Sequence, residues 1–262
     1  MHLKEFEERC WVLKQQPFFD PQLRVGDPDC SWSTFRRPLL RACNLSREIT
    51  WEEKMDAFWD NTAPDGTSYW AVQKESQNAA LLQMIGASIE ASTEPIHLKP
   101  DPKTFKDAVY NLQEFSDEGR QEQRFRHRPD AIAISSVPRF RKCFGWMNIS
   151  GKELYSLDPR LRPHTVRIDR RSFRDLRADE EYYAILYEYI SQNEDSETKS
   201  VMEDQLNLLW LAGFTMVATK PENWVGGILL DMADPVCPWQ PGWFECWYLR
   251  FKAEELMGPD SE

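Results

Sequence analysis

The chain has 262 residues, 41% of them hydrophobic and 13% aromatic, which supplies a buried core and argues against disorder. A net charge of −11 excludes broad affinity of the whole surface for nucleic acid or for an anionic membrane. No apolar run is long enough to span a bilayer, and the charged stretch Met1 to Cys10 does not read as an export signal.

The six cysteines include no C-x-x-C pair and read as free thiols of an intracellular protein, nuclear or cytoplasmic. The four histidines are scattered and offer no zinc constellation. Residues 1–48 read as an irregular extension, with a short helix over Leu3–Lys14 and repeated interruption by Pro17, Pro21, Pro28 and Pro38. Asn61 to Thr67 reads as a turn, since Pro-Asp-Gly fixes one φ and then tolerates a positive one.

Further along, Ala71, Ala79, Leu82 and Ile85 fall near helical spacing and predict a helix from about Tyr69 to Glu90. Phe105, Val109, Leu112 and Phe115 predict a second helix over Thr104–Ser116. Short strands are expected at Ala131–Ser135 and Arg139–Met147, then a short helix within Glu153–Pro163. A clear strand follows at Tyr182–Ile190, where YYAILYEYI is aromatic and β-branched. An acidic linker at Ser191–Lys199 leads into an amphipathic helix, Val201–Leu211, that stops at Gly213. A short strand is expected at Ile228–Asp231.

Eleven tryptophans are present, of which Trp51, Trp59, Trp70, Trp146, Trp210 and Trp224 lie in apolar stretches and are expected to pack. Trp239, Trp243 and Trp247 recur every fourth residue and predict a C-terminal helix from about Gly242 to Leu256. Positive charge gathers in two segments, Arg120, Arg124, Arg126, Arg128, Arg139, Arg141 and Lys142, and then Arg160, Arg162, Arg167, Arg170, Arg171, Arg174 and Arg177. Such segments are anion-binding patches or, the reading favoured here, solvated loops paired with neighbours such as Asp169, Asp175 and Asp179.

The element order suggests an α+β fold. The stretch GFTMVATKPENWVGGILLDMA, Gly213 to Ala233, resembles the catalytic segment of the protein-kinase fold. Lys220-Pro-Glu-Asn223 matches its Lys-x-x-Asn, and Asp231-Met-Ala stands at the position of Asp-Phe-Gly. Glu75 resembles the acidic helix partner of the nucleotide lysine. The resemblance implies that Lys220, Asn223, Asp231 and Glu75 mark a vestigial nucleotide site, with Asn223 and Asp231 as magnesium ligands if Mg-nucleotide is retained.

The departures are chemical. Ala218 stands where the proton-accepting carboxylate belongs, and a methyl group accepts no proton. No G-x-G-x-x-G loop covers the phosphates, and Asp56 replaces the strand lysine, with Lys54 two residues off. No catalytic residue is therefore assigned, and no cofactor is expected, ATP and magnesium being the candidates if the site survives.

The segments FWDNTAPDGTSYWAVQKESQNAALLQM, VPRFRKCFGWMNISGKEL, EYYAILYEYI and LWLAGF extend the likeness over roughly residues 50–250. In them the chain resembles a group of filamentous-fungal kinase-like proteins related to a kinase-like fungal kinetochore subunit family. This implies a two-lobed fold: an N-terminal extension at 1–48, a degenerate N-lobe at 49–190 carrying the Arg-rich insertions, and a truncated C-lobe at 191–262. The expected function is that of a pseudokinase-type binding or scaffold module with a protein partner. Two other readings stay open. One is an atypical ATP-dependent phosphotransferase using another carboxylate such as Glu222. The other is a chromatin- or nucleic-acid-associated factor using the Arg-rich loops.

Overall fold

The computed structural model describes residues 17–44, 71–162, 166–167, 173–191, 198–216 and 220–257. The expected helix at Leu3–Lys14, the turn at Asn61–Thr67, Trp51, Trp59 and Trp70, and Lys54 and Asp56 lie outside these residues. So do Asp169, Arg170, Arg171 and Ala218.

The architecture is mixed α+β. In chain order the described elements begin with β1 (Phe19–Leu23), α1 (Trp32–Phe35), β2 (Leu40–Ala42), α2 (Ala71–Ala91), β3 (Ile96–Leu98), α3 (Phe105–Gln113) and α4 (Asp117–Glu122). They continue through β4 (Ile132–Ile134), β5 (Cys143–Ser150), α5 (Gly151–Ser156), β6 (Val166–Arg167), β7 (Phe173–Arg174) and β8 (Glu181–Tyr187). Helix α6 (Thr198–Leu211) and the short strands β9 (Thr215–Met216), β10 (Trp224–Val225), β11 (Ile228–Leu229) and β12 (Pro235–Val236) precede α7 (Ala253–Met257).

The main sheet runs β1-β2-β5-β8, with β1, β2 and β5 parallel and β8 antiparallel to β5. Strand β8 alternates as its sequence demands: Tyr182, Ala184 and Leu186 are buried on one face, while Tyr183, Ile185 and Tyr187 are half-buried on the other. Tyr182 and Ala184 pack with Ile149 and Leu154, and Ile185 and Tyr187 pack beside Leu40, Ala79, Ala80 and Cys143. The two alanines let α2 lie close against the sheet.

The other faces of α2 are buried too. Leu81, Met84, Ile85 and Ile89 join Ala108 and Leu112 of α3 and Met202, Leu206 and Leu209 of α6 in one large core. Helix α2 is thus sandwiched between sheet and helices, which explains why its sequence carries apolar residues all round instead of one stripe. Helix α3 starts at a capping box, with the Asp107 N–H donating to Thr104 Oγ1 at 3.2 Å and the Thr104 N–H donating to Asp107 Oδ2 at 3.1 Å. Helix α6 ends at Gly213, φ +94°, where the Phe214 N–H donates to the Leu209 carbonyl at 2.9 Å.

Three expectations differ from the structure. Residues 17–44 are not an irregular extension, because β1 and β2 belong to the main sheet and Phe35 and Leu40 are fully buried. The prolines are placed where strands tolerate them: Pro21 sits on the edge strand at a register shift between Asp20 and Leu23, and Pro38 precedes β2. The expected boundary at 190/191 divides one core, since Phe35, Leu81 and Leu112 share it with Leu206, Val236 and Leu256.

The C-terminal tryptophans also do not share a helix. A 3₁₀ turn at Glu245–Trp247 and the short α7 stand in its place. Gly242 takes φ +95° after Pro241, and each aromatic is drawn to a different element. Trp239 meets Trp32 edge-on at 5.5 Å, the Trp243 indole donates to the Gly213 carbonyl at 2.9 Å, and the Tyr248 hydroxyl donates to the Trp210 carbonyl at 2.8 Å. Tertiary partners outweigh the helical spacing.

Candidate functional site

The KPEN tetrapeptide and the Asp231 turn lie at the two ends of one hairpin. Pro221–Asn223 form a 3₁₀ turn, and β10 then pairs antiparallel with β11, Trp224 opposite Leu229 and Val225 opposite Ile228. The tight reversal falls on Gly226 and Gly227, with φ of +56° and +76°, conformations that glycine adopts without steric penalty. The pairing continues one step further, the Leu230 N–H donating to the Asn223 carbonyl at 2.8 Å. Asn223 and Asp231 are therefore carried to the same end of the ribbon.

Buried polar side chains anchor this ribbon. Gln205 of α6 accepts from the Leu229 N–H at 3.2 Å and donates to the Gly227 carbonyl at 2.6 Å. Asn78 of α2 donates to the carbonyls of Met232 at 2.8 Å and Pro235 at 2.6 Å. Arg141 reaches the Leu230 carbonyl at 3.5 Å while its guanidinium lies over the Tyr187 ring.

The acids at this end are two, and one was not anticipated from the sequence. Asp231 Oδ1 accepts from the Ala233 N–H at 2.8 Å, closing a turn. The Asn223 amide does not serve Asp231; it donates to Asp234 Oδ2 at 2.6 Å. Asp234 is 7% exposed, and burial, followed by repulsion from Asp231, pushes its carboxyl up to about 6, against the Asn223 hydrogen bond and the charges of Lys74 and Lys220.

Above them stands α2. Glu75 is half-buried and faces Asp231. Burial first, and then that neighbouring charge, push it up to about 7, while the Tyr187 hydroxyl and the Arg141 guanidinium pull the other way. Lys74, the residue before it, lies among Asp234, Asp231 and Cys237, and burial holds its ammonium below the usual lysine range.

The chain matches no protein-family model, no curated protein and no solved structure.

Glu75, Asn223 and Asp231 are thus gathered at one end of the hairpin, and Lys220 stands exposed at its rim within the field of Asp234. Lys74 and Asp234 complete the cluster. The sequence signal for Asp234 was its spacing three residues after Asp231. For Lys74 it was adjacency to Glu75, which puts the two side chains 100° apart on the helix rather than on opposite faces. Among the described residues, no group of three or more His, Cys, Asp and Glu side chains is placed to hold a metal ion.

Chemically, the cluster offers three carboxyl groups, a carboxamide and two ammonium groups around the mouth of a two-stranded ribbon. The elevated values imply a definite pH response. Glu75, Asp234 and, elsewhere, Glu114 bind protons more tightly folded than unfolded, so their burial costs nothing at low pH and destabilises once they ionise. Urea midpoints are expected to fall as pH rises from about 4 to 7, between the ordinary carboxyl values and the raised ones, and to level off above. The slope should flatten in Glu75→Gln; an unchanged slope in that variant would remove Glu75 from the account. Below this window Asp107, held at about 2 chiefly by the Lys99 ion pair and backbone N–H groups against its own burial, acts in the opposite direction.

Among the described residues, most arginines of the first Arg-rich segment are paired, as are Arg160 and Arg177 of the second. Arg120 with Asp117, Arg124 with Glu122, Arg126 with Glu94, Arg128 with Asp130, Arg139 with Glu188, Arg160 with Asp158 and Arg177 with Asp179 all form ion pairs. Arg124 also stacks on the Tyr110 ring, 3.9 Å from its centroid. No described helix is long and apolar enough to cross a membrane.

Proposed function

We propose that the chain is a two-lobed, kinase-like binding module whose phosphate-transfer site is too altered for catalysis. The observation that carries this reading is the meeting of Asn223, Asp231 and Asp234 below Glu75 and Lys74. Across a short ribbon, a Lys-x-x-Asn segment and an acidic turn face an acidic helix residue. That is the arrangement phosphoryl transfer requires of its metal-holding and positioning groups.

The same cluster supports loss of transfer. Asn223 donates its amide to Asp234 instead of leaving both partners open to a metal ion. Lys74 approaches from the helix rather than from a strand of the sheet. The sequence has Ala218 where a proton acceptor belongs. The protein then acts through contacts with a protein partner. The pairing of the arginines favours this over a nucleic-acid role, since a guanidinium already held by a carboxylate releases little on meeting a phosphate.

Incubation with γ-labelled ATP and magnesium, offering the protein itself and a generic basic protein as acceptors, tests the reading. No transfer above background is expected. Transfer that disappears in Asp231→Asn or Asp234→Asn would establish an atypical phosphotransferase instead. Binding of ATP without transfer is compatible with the proposal, and its loss in Lys74→Met would place the phosphates beside α2.

A further inference from the structure

At the C-terminal end of α2, the opposite end from Lys74 and Glu75, a cleft of about 190 Å³ opens between the segment that leaves α2 and the helices α3 and α4. One wall is the segment 91–97, in which Ala91, Pro95 and Ile96 alternate with polar residues that include Glu94 and His97; the other is Glu114, Arg120 and Gln123. That volume exceeds by far the ~10–15 Å³ needed by one water molecule. The lining is mixed: Ala91, Pro95 and Ile96 offer apolar surface to a short aliphatic chain, and Glu114 offers an acid to a charged head.

The second observation concerns Glu114, the residue that closes α3. It is 2% exposed, and its Oε1 is buried without a hydrogen-bond partner. An ionised carboxylate oxygen left alone in the interior is costly, so native proteins supply such groups with partners. No nearby cation is hydrogen-bonded to Oε1. Arg120 is held by Asp117 and donates to the Ser88 carbonyl at 3.2 Å, and its Nε is itself buried without a partner. Arg124 pairs with Glu122 at 2.9 Å and stacks on Tyr110; it lends Glu114 its backbone N–H and its distant charge. Arg126 pairs with Glu94 at 2.6 Å. Burial pushes the Glu114 carboxyl up to about 7.

We propose that this cleft binds a primary alkylammonium group, the head of a small aliphatic amine or of a lysine side chain, with Glu114 as its counter-ion and Ala91, Pro95 and Ile96 covering the chain. An ammonium supplies the missing donor to Oε1, and its charge offsets the carboxylate that burial disfavours. A carboxylate ligand would meet Glu114 and Glu94 as like charges, and a neutral alcohol would bring a donor without the charge.

The test uses n-butylammonium, n-butanol and butyrate at constant ionic strength and pH 8, where Glu114 is ionised, read by calorimetry on the full chain. Saturable binding of n-butylammonium alone is expected, weakened at least about tenfold in Glu114→Gln, which corresponds to about 1.4 kcal/mol. In the wild-type protein, amide NMR shifts of Thr93, Ile96 and Gln123 should saturate with the same constant, so the site is located even if the variant folds poorly. Equal binding of n-butanol, binding that survives Glu114→Gln, shifts confined to another region, or no saturation would each overturn the proposal. Its outcome is independent of the phosphoryl-transfer assay.

Discussion

Replacing Asn78 with leucine is expected to remove about 3–5 kcal/mol of stability and to loosen the Asp231 turn before the rest of the fold. Asn78 is 1% exposed, and its amide nitrogen serves two carbonyls at once, Met232 and Pro235. Its oxygen accepts from Gln240 at 3.1 Å. Leucine fills the volume but supplies no donor, so two buried carbonyls lose the amide that serves them, and Gln240 keeps only Gln77 and the Cys237 N–H. Each such loss costs about 1–3 kcal/mol, against about 1 kcal/mol for an ordinary hydrogen bond exchanged with water.

Urea denaturation of both proteins measures the total. Hydrogen exchange separates the local part: the Ala233 N–H, held by Asp231, should exchange much faster in the variant, while amides in the centre of β8 follow only the global change. A loss below about 1 kcal/mol, or equal acceleration everywhere, would mean that the carbonyls find substitutes and that α2 does not position the acidic turn. The variant thereby tests a link in the functional reading: Glu75 and Asp231 face each other only while Asn78 ties helix to turn.

Local chemistry made a good part of this arrangement readable from sequence. The helix that opens after Thr104, the stop at Gly213 and the strand β8 are all set by neighbours within a few residues, and each falls at or near its expected place. Gly226-Gly227 allows only a short reversal, so the chain at Asn223 and at Asp231 reaches the same end of the ribbon.

What was missed depends on distant partners. The sequence around Pro21 and Pro38 looks like broken chain, yet β1 and β2 find β5 more than a hundred residues on. The Trp239, Trp243 and Trp247 spacing imitates a helix whose turns are claimed instead by Trp32, Gly213 and Phe244. Lys74 and Asp234 carry no motif. Only the docking of α2 onto the turn turns them from ordinary charges into members of the cluster.

Gly145→Ala is the second large effect, and it arises from the sheet. Gly145 stands at the register shift where β5 leaves its pairing with β8 between Cys143 and the residues that follow, and its φ is +122°. An alanine there is strained by about 1–3 kcal/mol on backbone grounds alone. Its Cβ would also come within 2.6 Å of the Arg41 carbonyl oxygen and 2.9 Å of the Cys43 nitrogen, both main-chain atoms of the neighbouring strand segment. Those atoms cannot turn aside as a side chain could. Relief requires β2 to move away from β5, which breaks the 2.7 Å hydrogen bond from the Cys43 N–H to the Trp146 carbonyl.

A total loss of about 3–5 kcal/mol is expected, enough to leave a marginal domain partly unfolded. Gly26→Ala is the matched comparison: φ is +69°, but nothing lies within 4 Å of the added carbon. It should cost only the backbone share, about 1 kcal/mol. Comparing urea midpoints of the two variants isolates the collision from the dihedral strain. If Gly145→Ala proved no worse than Gly26→Ala, β2 would not be packed against β5 at this point. The folding of residues 17–44 into the main sheet would then lose its physical basis.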